Sequence, residues 1–152
     1  MSGCAKGPPA LFNTTAMYTN DTNVRVRYSE TDQMNVVYYG NYAQYFEVGR
    51  VEAMRSLGLS YKDLEATGII MPVVEFKARF LRPARYDDLL TIRTTVKELP
   101  TGHHIEFFQE VYNEKGKLLT SGYVINYFVL ADSMEKTQVP AEMQERLKPY
   151  FS

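Results

Sequence analysis

The chain has 152 residues, 45% of them hydrophobic and 13% aromatic, with 12 Tyr, 8 Phe and no Trp. That is one domain's worth of chain, rich enough in apolar side chains to exclude disorder throughout. A formal net charge of -1 argues against nucleic-acid binding by bulk charge. No apolar run approaches the ~20 residues of a membrane span. With Cys4 the only cysteine, an internal disulfide and a cysteine-built metal site are both excluded, and a cytoplasmic protein is expected.

Residues 1–20 begin with small residues and the Pro8-Pro9 pair and carry no periodicity, so they read as a disordered extension or tag ahead of a single domain over 21–152. From Asn23 the pattern sharpens. Val24, Val26 and Tyr28 alternate with Arg25 and Arg27, which predicts a strand. Ser29 to Asn35 are polar turn formers and predict a loop. Tyr42, Tyr45, Phe46, Gly49, Ala53, Met54 and Leu57 then recur at spacings of three and four, predicting a long helix from Asn41 to Leu57. Gly49 weakens that helix by ~1 kcal/mol, which is tolerated best where something packs closely against its turn; Gly58 stops it. Ser60 with Asp63 has the form of an N-cap with an acidic third residue, starting a short helix that ends at Gly68. Strands are expected over Ile69–Arg82, Leu89–Leu99, His103–Asn113 and Lys117–Ala131, joined by turn-forming stretches at 83–88, 100–102 and 114–116. Such short connections predict a meander of antiparallel neighbours. A last helix starts at Ala141, just after Pro140, and runs to about Lys148.

Long antiparallel strands need one face covered, and only the Asn41–Leu57 helix is large enough to cover it. The expected fold is therefore α+β, a curved antiparallel sheet wrapped around one long central helix. The first strand must join the later ones, which leaves the Asp32 loop beside the helix N-terminus. There Asp32 offers a carboxylate, while Tyr39, Gly40 and Asn41 offer unpaired backbone N–H groups at the positive end of a helix dipole. Gly40 keeps that backbone approachable. A base or nucleophile facing an oxyanion hole is what carbonyl chemistry requires, although an aspartate in such a loop equally serves to cap a turn.

The run from Val24 to Tyr42 (VRVRYSETDQMNVVYYGNY), followed by Tyr45-Phe46-Glu47, closely resembles the 4-hydroxybenzoyl-CoA thioesterase-like family of hotdog proteins, which includes the bacterial acyl-CoA thioesterases of the YbgC type. A second landmark of that family resembles Phe80 to Leu89 (FLRPARYDDL), and the likeness extends from about Asn23 to Leu130. The resemblance implies a hotdog fold and an acyl-CoA thioester hydrolase assembled as a homodimer or dimer of dimers. The family's catalytic aspartate falls on Asp32 and its oxyanion donor, a backbone N–H, on Tyr39. Gly40, Tyr42 and Arg82 are then the expected substrate-binding residues, Arg82 through a coenzyme A phosphate. No resident cofactor is implied, since coenzyme A enters with the substrate. Many relatives carry His at Tyr39, and Asn35 stands where glycine is common; Asn tolerates the left-handed region better than most residues.

Other residues have weaker claims. Glu47, two turns into the helix, is a second candidate base. Lys77, Arg79 and Arg85 share with Arg82 the choice between meeting phosphates and lying on a solvated face. His103 and His104 follow a turn with no further ligand at metal spacing, so no metal site is expected. Two competing functions remain. A hotdog hydratase is disfavoured by the absence of a His-Phe-Pro type signature, and a noncatalytic acyl-CoA-binding or partner-binding module is the main alternative.

Overall fold

The computed structural model describes residues 16–152. Its elements in chain order are β1 (Tyr18–Arg25), α1 (Tyr42–Ser56), α2 (Tyr61–Ala66), β2 (Ile69–Ile70), β3 (Val73–Phe80), β4 (Leu89–Val96), β5 (His104–Tyr112), β6 (Leu118–Tyr127), β7 (Val129–Leu130) and α3 (Ala141–Leu147). Of the expected extension over 1–20, residues 1–15, with Cys4, lie outside the described residues, whereas Tyr18–Asn20 already belong to β1. The strand starts earlier than its alternation suggests because Thr19, Asp21 and Asn23 are polar on an exposed edge, while Tyr18 alone is sunk into the core. It also ends earlier. Tyr28 leaves the strand for a 3-10 turn, Tyr28–Glu30, and stands 78% exposed.

Five strands form one antiparallel sheet in the order β1-β4-β5-β6-β3, with β2 and β7 as a small separate pair. The hotdog arrangement, sheet around α1, is as expected, and β1 does join a later strand, β4. The four-strand meander is not what forms. Only β4, β5 and β6 follow one another; residues 81–88 carry the chain from β3 at one edge across to β4, so turn chemistry there marks a crossover and not a hairpin. Pro72 lies at the break between β2 and β3 within the expected strand over 69–82, and Phe128 separates β6 from β7.

The predicted helix stripe is buried in full, Tyr42, Tyr45, Phe46, Gly49, Ala53, Met54 and Leu57 all facing the sheet. Its core has two halves. Tyr42, Tyr45 and Phe46 meet Val26, Val37, Ala84, Leu90 and Ile92 under the first turns. Ala53, Met54 and Leu57 meet Tyr18, Phe107, Phe128, Met143 and Leu147 under the last. Between them lies a polar layer. The Gln109 amide donates to the Phe46 carbonyl (2.7 Å) and to Thr94 Oγ1 (3.0 Å), and its oxygen accepts from Arg50 (3.2 Å). Gly49 is there because a Cβ would come within 2.6 Å of Ile92 Cγ2 and 2.7 Å of Thr94 Oγ1. Gly58, at φ +81, takes the left-handed turn that ends the helix, and the Ser60 hydroxyl accepts the Asp63 N–H (3.0 Å) to start α2 as predicted.

Candidate active site

Between β1 and α1 the chain makes a small hairpin. The Asp32 N–H donates to the Val36 carbonyl (2.9 Å) and the Asn35 N–H returns to the Asp32 carbonyl (2.9 Å). This is a three-residue loop, Gln33-Met34-Asn35, whose last residue must be left-handed. Asn35 has φ 65, so asparagine fills the position where glycine is common. Asp32 Oδ1 accepts the Met34 N–H (2.8 Å) as an Asx turn. The other oxygen of this half-buried carboxylate has no hydrogen-bond donor among the described residues.

The hairpin is strapped to the start of the helix. At its base the Glu30 carbonyl accepts the Tyr38 N–H (2.9 Å), and Val37 donates to the Ala84 carbonyl (2.8 Å) in the crossover. Tyr39–Asn41 then form a 3-10 turn that runs straight into α1. Among the described residues neither the Tyr39 nor the Gly40 N–H has a backbone acceptor, as the first groups of a helical turn do not. The Tyr38 hydroxyl is held above its ordinary value first by the Tyr39 hydroxyl and, least, by the charge of Asp32.

Ring contacts join this tip and the first turns of α1 to the edge strand β3. Tyr39 packs on Phe80 (6.3 Å between ring centroids), Tyr42 on Phe80 (5.1 Å) and Phe46 on Phe76 (5.5 Å). The expected binding residues divide here. Tyr39 is 65% exposed at the tip, while Tyr42 is 3% exposed and belongs to the core, with Phe80 packed over it. Gly40 is exposed, and a Cβ on it would lie 2.7 Å from the Tyr38 ring. Arg82 donates to the Leu118 carbonyl (3.0 Å) and is exposed in the crossover, with no described contact to Asp32 or Tyr39. Lys77 and Arg79 pair with Tyr123 and Ser121, alternating with Phe76 and Phe80, and so point to the sheet face away from α1. Glu47 is exposed on α1. His103 stacks edge-on with His104 (5.8 Å) and Tyr127 (5.5 Å). Among the described residues no group of His, Cys, Asp and Glu could hold a metal, and no helix is long and apolar enough to cross a membrane.

Sequence reasoning passed over Glu30. It is 6% exposed, and its carboxylate accepts from the Arg27 N–H (2.9 Å), the Arg27 guanidinium (3.1 Å) and the Tyr45 hydroxyl (2.9 Å). Burial pushes its pKa up, but those hydrogen bonds outweigh burial and hold it below the ordinary value. The usable signal was Tyr45, a buried stripe residue whose hydroxyl needs a partner.

A family model of the thioesterase superfamily matches residues 34–120, more than half of the chain. The chain belongs to the thioesterase superfamily. Among proteins of this superfamily, a putative acyl-CoA thioesterase, YneP, of Bacillus subtilis is 33% identical over 102 residues, 67% of this chain and 73% of that protein. The acyl-CoA thioester hydrolase YbgC of Escherichia coli is 30% identical over 125 residues, covering 82% of this chain and 92% of its own. The crystal structure of a DHNA-CoA thioesterase from Staphylococcus aureus superposes with a TM-score of 0.76 at 33% identity, over 79% of this chain and 80% of that one. The likeness read from the two landmarks is thus a membership, and the protein is a thioester hydrolase by family. The matched span opens at Met34 and does not include Asp32.

Proposed function

We propose that this chain hydrolyses an acyl-CoA thioester to the free acid and coenzyme A, with Asp32 as its catalytic carboxylate and the Tyr39 N–H as oxyanion donor. The observation that supports the reading is the strapped hairpin, which carries a half-buried carboxylate with one oxygen lacking a donor among the described residues and leads directly into a helical turn whose first N–H groups lack a backbone acceptor there. In the reaction the acyl carbon gains an oxygen, from water deprotonated by Asp32 or from Asp32 itself, and the carbon–sulfur bond breaks to release the thiol. The Tyr39 N–H and the tip's dipole stabilise the negative charge that builds on the carbonyl oxygen meanwhile. If Asp32 attacks directly, water then opens the mixed anhydride, and one turnover in labelled water leaves label in Asp32; deprotonation of water leaves none. Arg82, free to turn from the Leu118 carbonyl, is the cation offered to a coenzyme A phosphate. The Tyr39, Phe80 and Phe76 rings line the path for the acyl group. In this reading coenzyme A enters as part of the substrate and no resident cofactor is called for, and a coenzyme A ester as substrate supports a cytoplasmic location.

The working unit in this reading is a dimer. β3 is an edge strand eight residues long with Val73, Val74, Phe76 and Phe80 all exposed, and such an edge invites a second copy. Light scattering should report a dimer or dimer of dimers, reduced toward monomer by Val74→Lys with Phe76→Lys; a parent that is monomeric at all concentrations refutes the assembly.

Thiol release across short, medium, long and aromatic CoA esters tests the reaction. Loss of one oxyanion donor typically lowers kcat by ~10²–10³, and Asp32→Ala should lower it by more than that. Equal turnover by the variant and the parent removes Asp32 from the mechanism. Tight CoA-ester binding with no thiol release on any ester favours the noncatalytic module.

A further inference from the structure

Glu30 has both carboxylate oxygens committed inside the protein, so it has no lone pair to offer a substrate. Oε1 accepts the Arg27 N–H (2.9 Å) and the Tyr45 hydroxyl (2.9 Å), and Oε2 accepts the Arg27 guanidinium. Its main chain is committed too. The Glu30 carbonyl takes the Tyr38 N–H (2.9 Å) and the Asn41 side-chain amide (2.8 Å). One residue therefore joins the end of the β1 segment through Arg27, the second turn of α1 through Tyr45, and the 3-10 turn at the helix tip through Tyr38 and Asn41. Everything between Glu30 and Tyr38 is the hairpin that carries Asp32.

We propose that Glu30 is a positioning residue for the reaction: its buried carboxylate, anchored on Tyr45, sets the place of the Asp32 hairpin against the helix tip. The inference rests on the reading of Asp32 and Tyr39 given above and adds a residue which that reading does not use. The hairpin has few other anchors. Its remaining described ties to the body are the Val37 side chain in the core half beneath the tip, the Val37 N–H to Ala84, and the Thr31 N–H and hydroxyl to Tyr28, and Tyr28 is itself exposed. Tyr45, by contrast, is 2% exposed in the middle of the core half beneath the tip. Through Tyr45 the carboxylate refers the hairpin to the buried face of the helix and not to the exposed Tyr28. An ionised Glu30 keeps both oxygens as acceptors, which its lowered pKa ensures at neutral pH. The Arg27 guanidinium is the replaceable member, since its side chain is 74% exposed.

The test compares the full-length parent with Glu30→Ala, Glu30→Gln and Tyr45→Phe, using the CoA ester that gives the fastest thiol release. Hydrogen exchange is followed in parallel over residues 31–39 and, as a control, over β5. A 1 Å misplacement at a reacting centre can lower rate by ~10²-fold, so Glu30→Ala should lower kcat by roughly 10–100-fold. KM should stay within about 3-fold, because Arg82 and the Tyr39, Phe76 and Phe80 rings are untouched. Glu30→Gln should recover most of kcat: its amide oxygen can still accept from the Arg27 N–H and Tyr45, while the guanidinium turns to solvent. Tyr45→Phe should fall between the two. Exchange should quicken over 31–39 in Glu30→Ala and remain slow in β5. A folded Glu30→Ala with kcat within about 2-fold of the parent, a Glu30→Gln as impaired as the alanine variant, or exchange that quickens equally in β5 overturns the proposal. Failure of the enzymatic reading looks different, since the parent then releases no thiol or Asp32→Ala matches it. Exchange over 31–39 then decides alone whether Glu30 holds the hairpin.

Discussion

Gly49 is where α1 comes down hardest on the sheet, and Gly49→Ala sets two effects of opposite sign against each other. In an isolated helix the substitution would be worth about 1 kcal/mol of stability. Here the new methyl would lie 2.6 Å from Ile92 Cγ2, 2.7 Å from Thr94 Oγ1 and 2.8 Å from Gln109 Nε2. None of the three can withdraw cheaply. Ile92 and Thr94 are β-branched, fully buried and stiff about χ1, and Gln109 holds both the Phe46 carbonyl and Thr94. Overpacking of this kind costs about 1–3 kcal/mol and a strained or lost hydrogen bond about 1 kcal/mol more. After subtracting the helix gain, a net loss of about 2 kcal/mol is expected. In a domain of this length that corresponds to a Tm lower by roughly 4–8 °C. Thermal melts followed by circular dichroism at one fixed protein concentration measure it, since assembly would otherwise shift the midpoint. A Tm equal to or above the parent's would show that the helix is free to lift at this point, and the close-packing account of Gly49 would be wrong.

At Asn35 the left-handed φ makes two substitutions diverge. Asn35→Gly should melt at or slightly above the parent, whereas Asn35→Val, a β-branched residue at φ 65, should lose about 1–2 kcal/mol and show quickened exchange over the hairpin; equal melting of the two would refute the strain. The lowered pKa of Glu30 has a defined acid signature. A depressed carboxyl pKa contributes stability above the unfolded value and loses it as pH falls through the folded one. The gap in urea midpoint between the parent and Glu30→Gln should therefore be widest near neutrality and close below pH 4.5, the group's ordinary value; a gap that does not change with pH contradicts the assignment.

What could be read before the structure was whatever depends on near neighbours in the chain. Helix α1 was legible from its stripe, its end from Gly58 and the start of α2 from Ser60 and Asp63, because periodicity, a left-handed stop and a cap are local. The short link between the Asp32 hairpin and the first turn of the helix was legible because few residues separate them. The place of β3 was not. Residues 81–88 contain turn formers whether the chain folds back beside the previous strand or crosses to another, and the choice depends on β3 pairing with the distant β6 and not with β4. Glu30 was hidden for a related reason. Its side chain is explained by Tyr45, 15 positions further on, and a glutamate in a polar loop shows nothing of that. Arg50 and Gln109, 59 positions apart, could not have been paired by any local rule. Tyr42 was read correctly as part of the stripe, but nothing in a stripe tells a pocket wall from the support behind it.

The crossover between β3 and β4 has a consequence for how the protein tolerates change. Exposed connections usually accept extra residues with little harm, and Arg82, Pro83, Arg85 and Tyr86 are all exposed. Ala84, in their midst, is fully buried and receives Val37, while Val26 exchanges hydrogen bonds with Asp87 and Asp88. The connection thus acts as a girder rather than a tether. Two stretches of chain about fifty positions apart in sequence behave as a single mechanical part, and lengthening one would be felt as a displacement in the other.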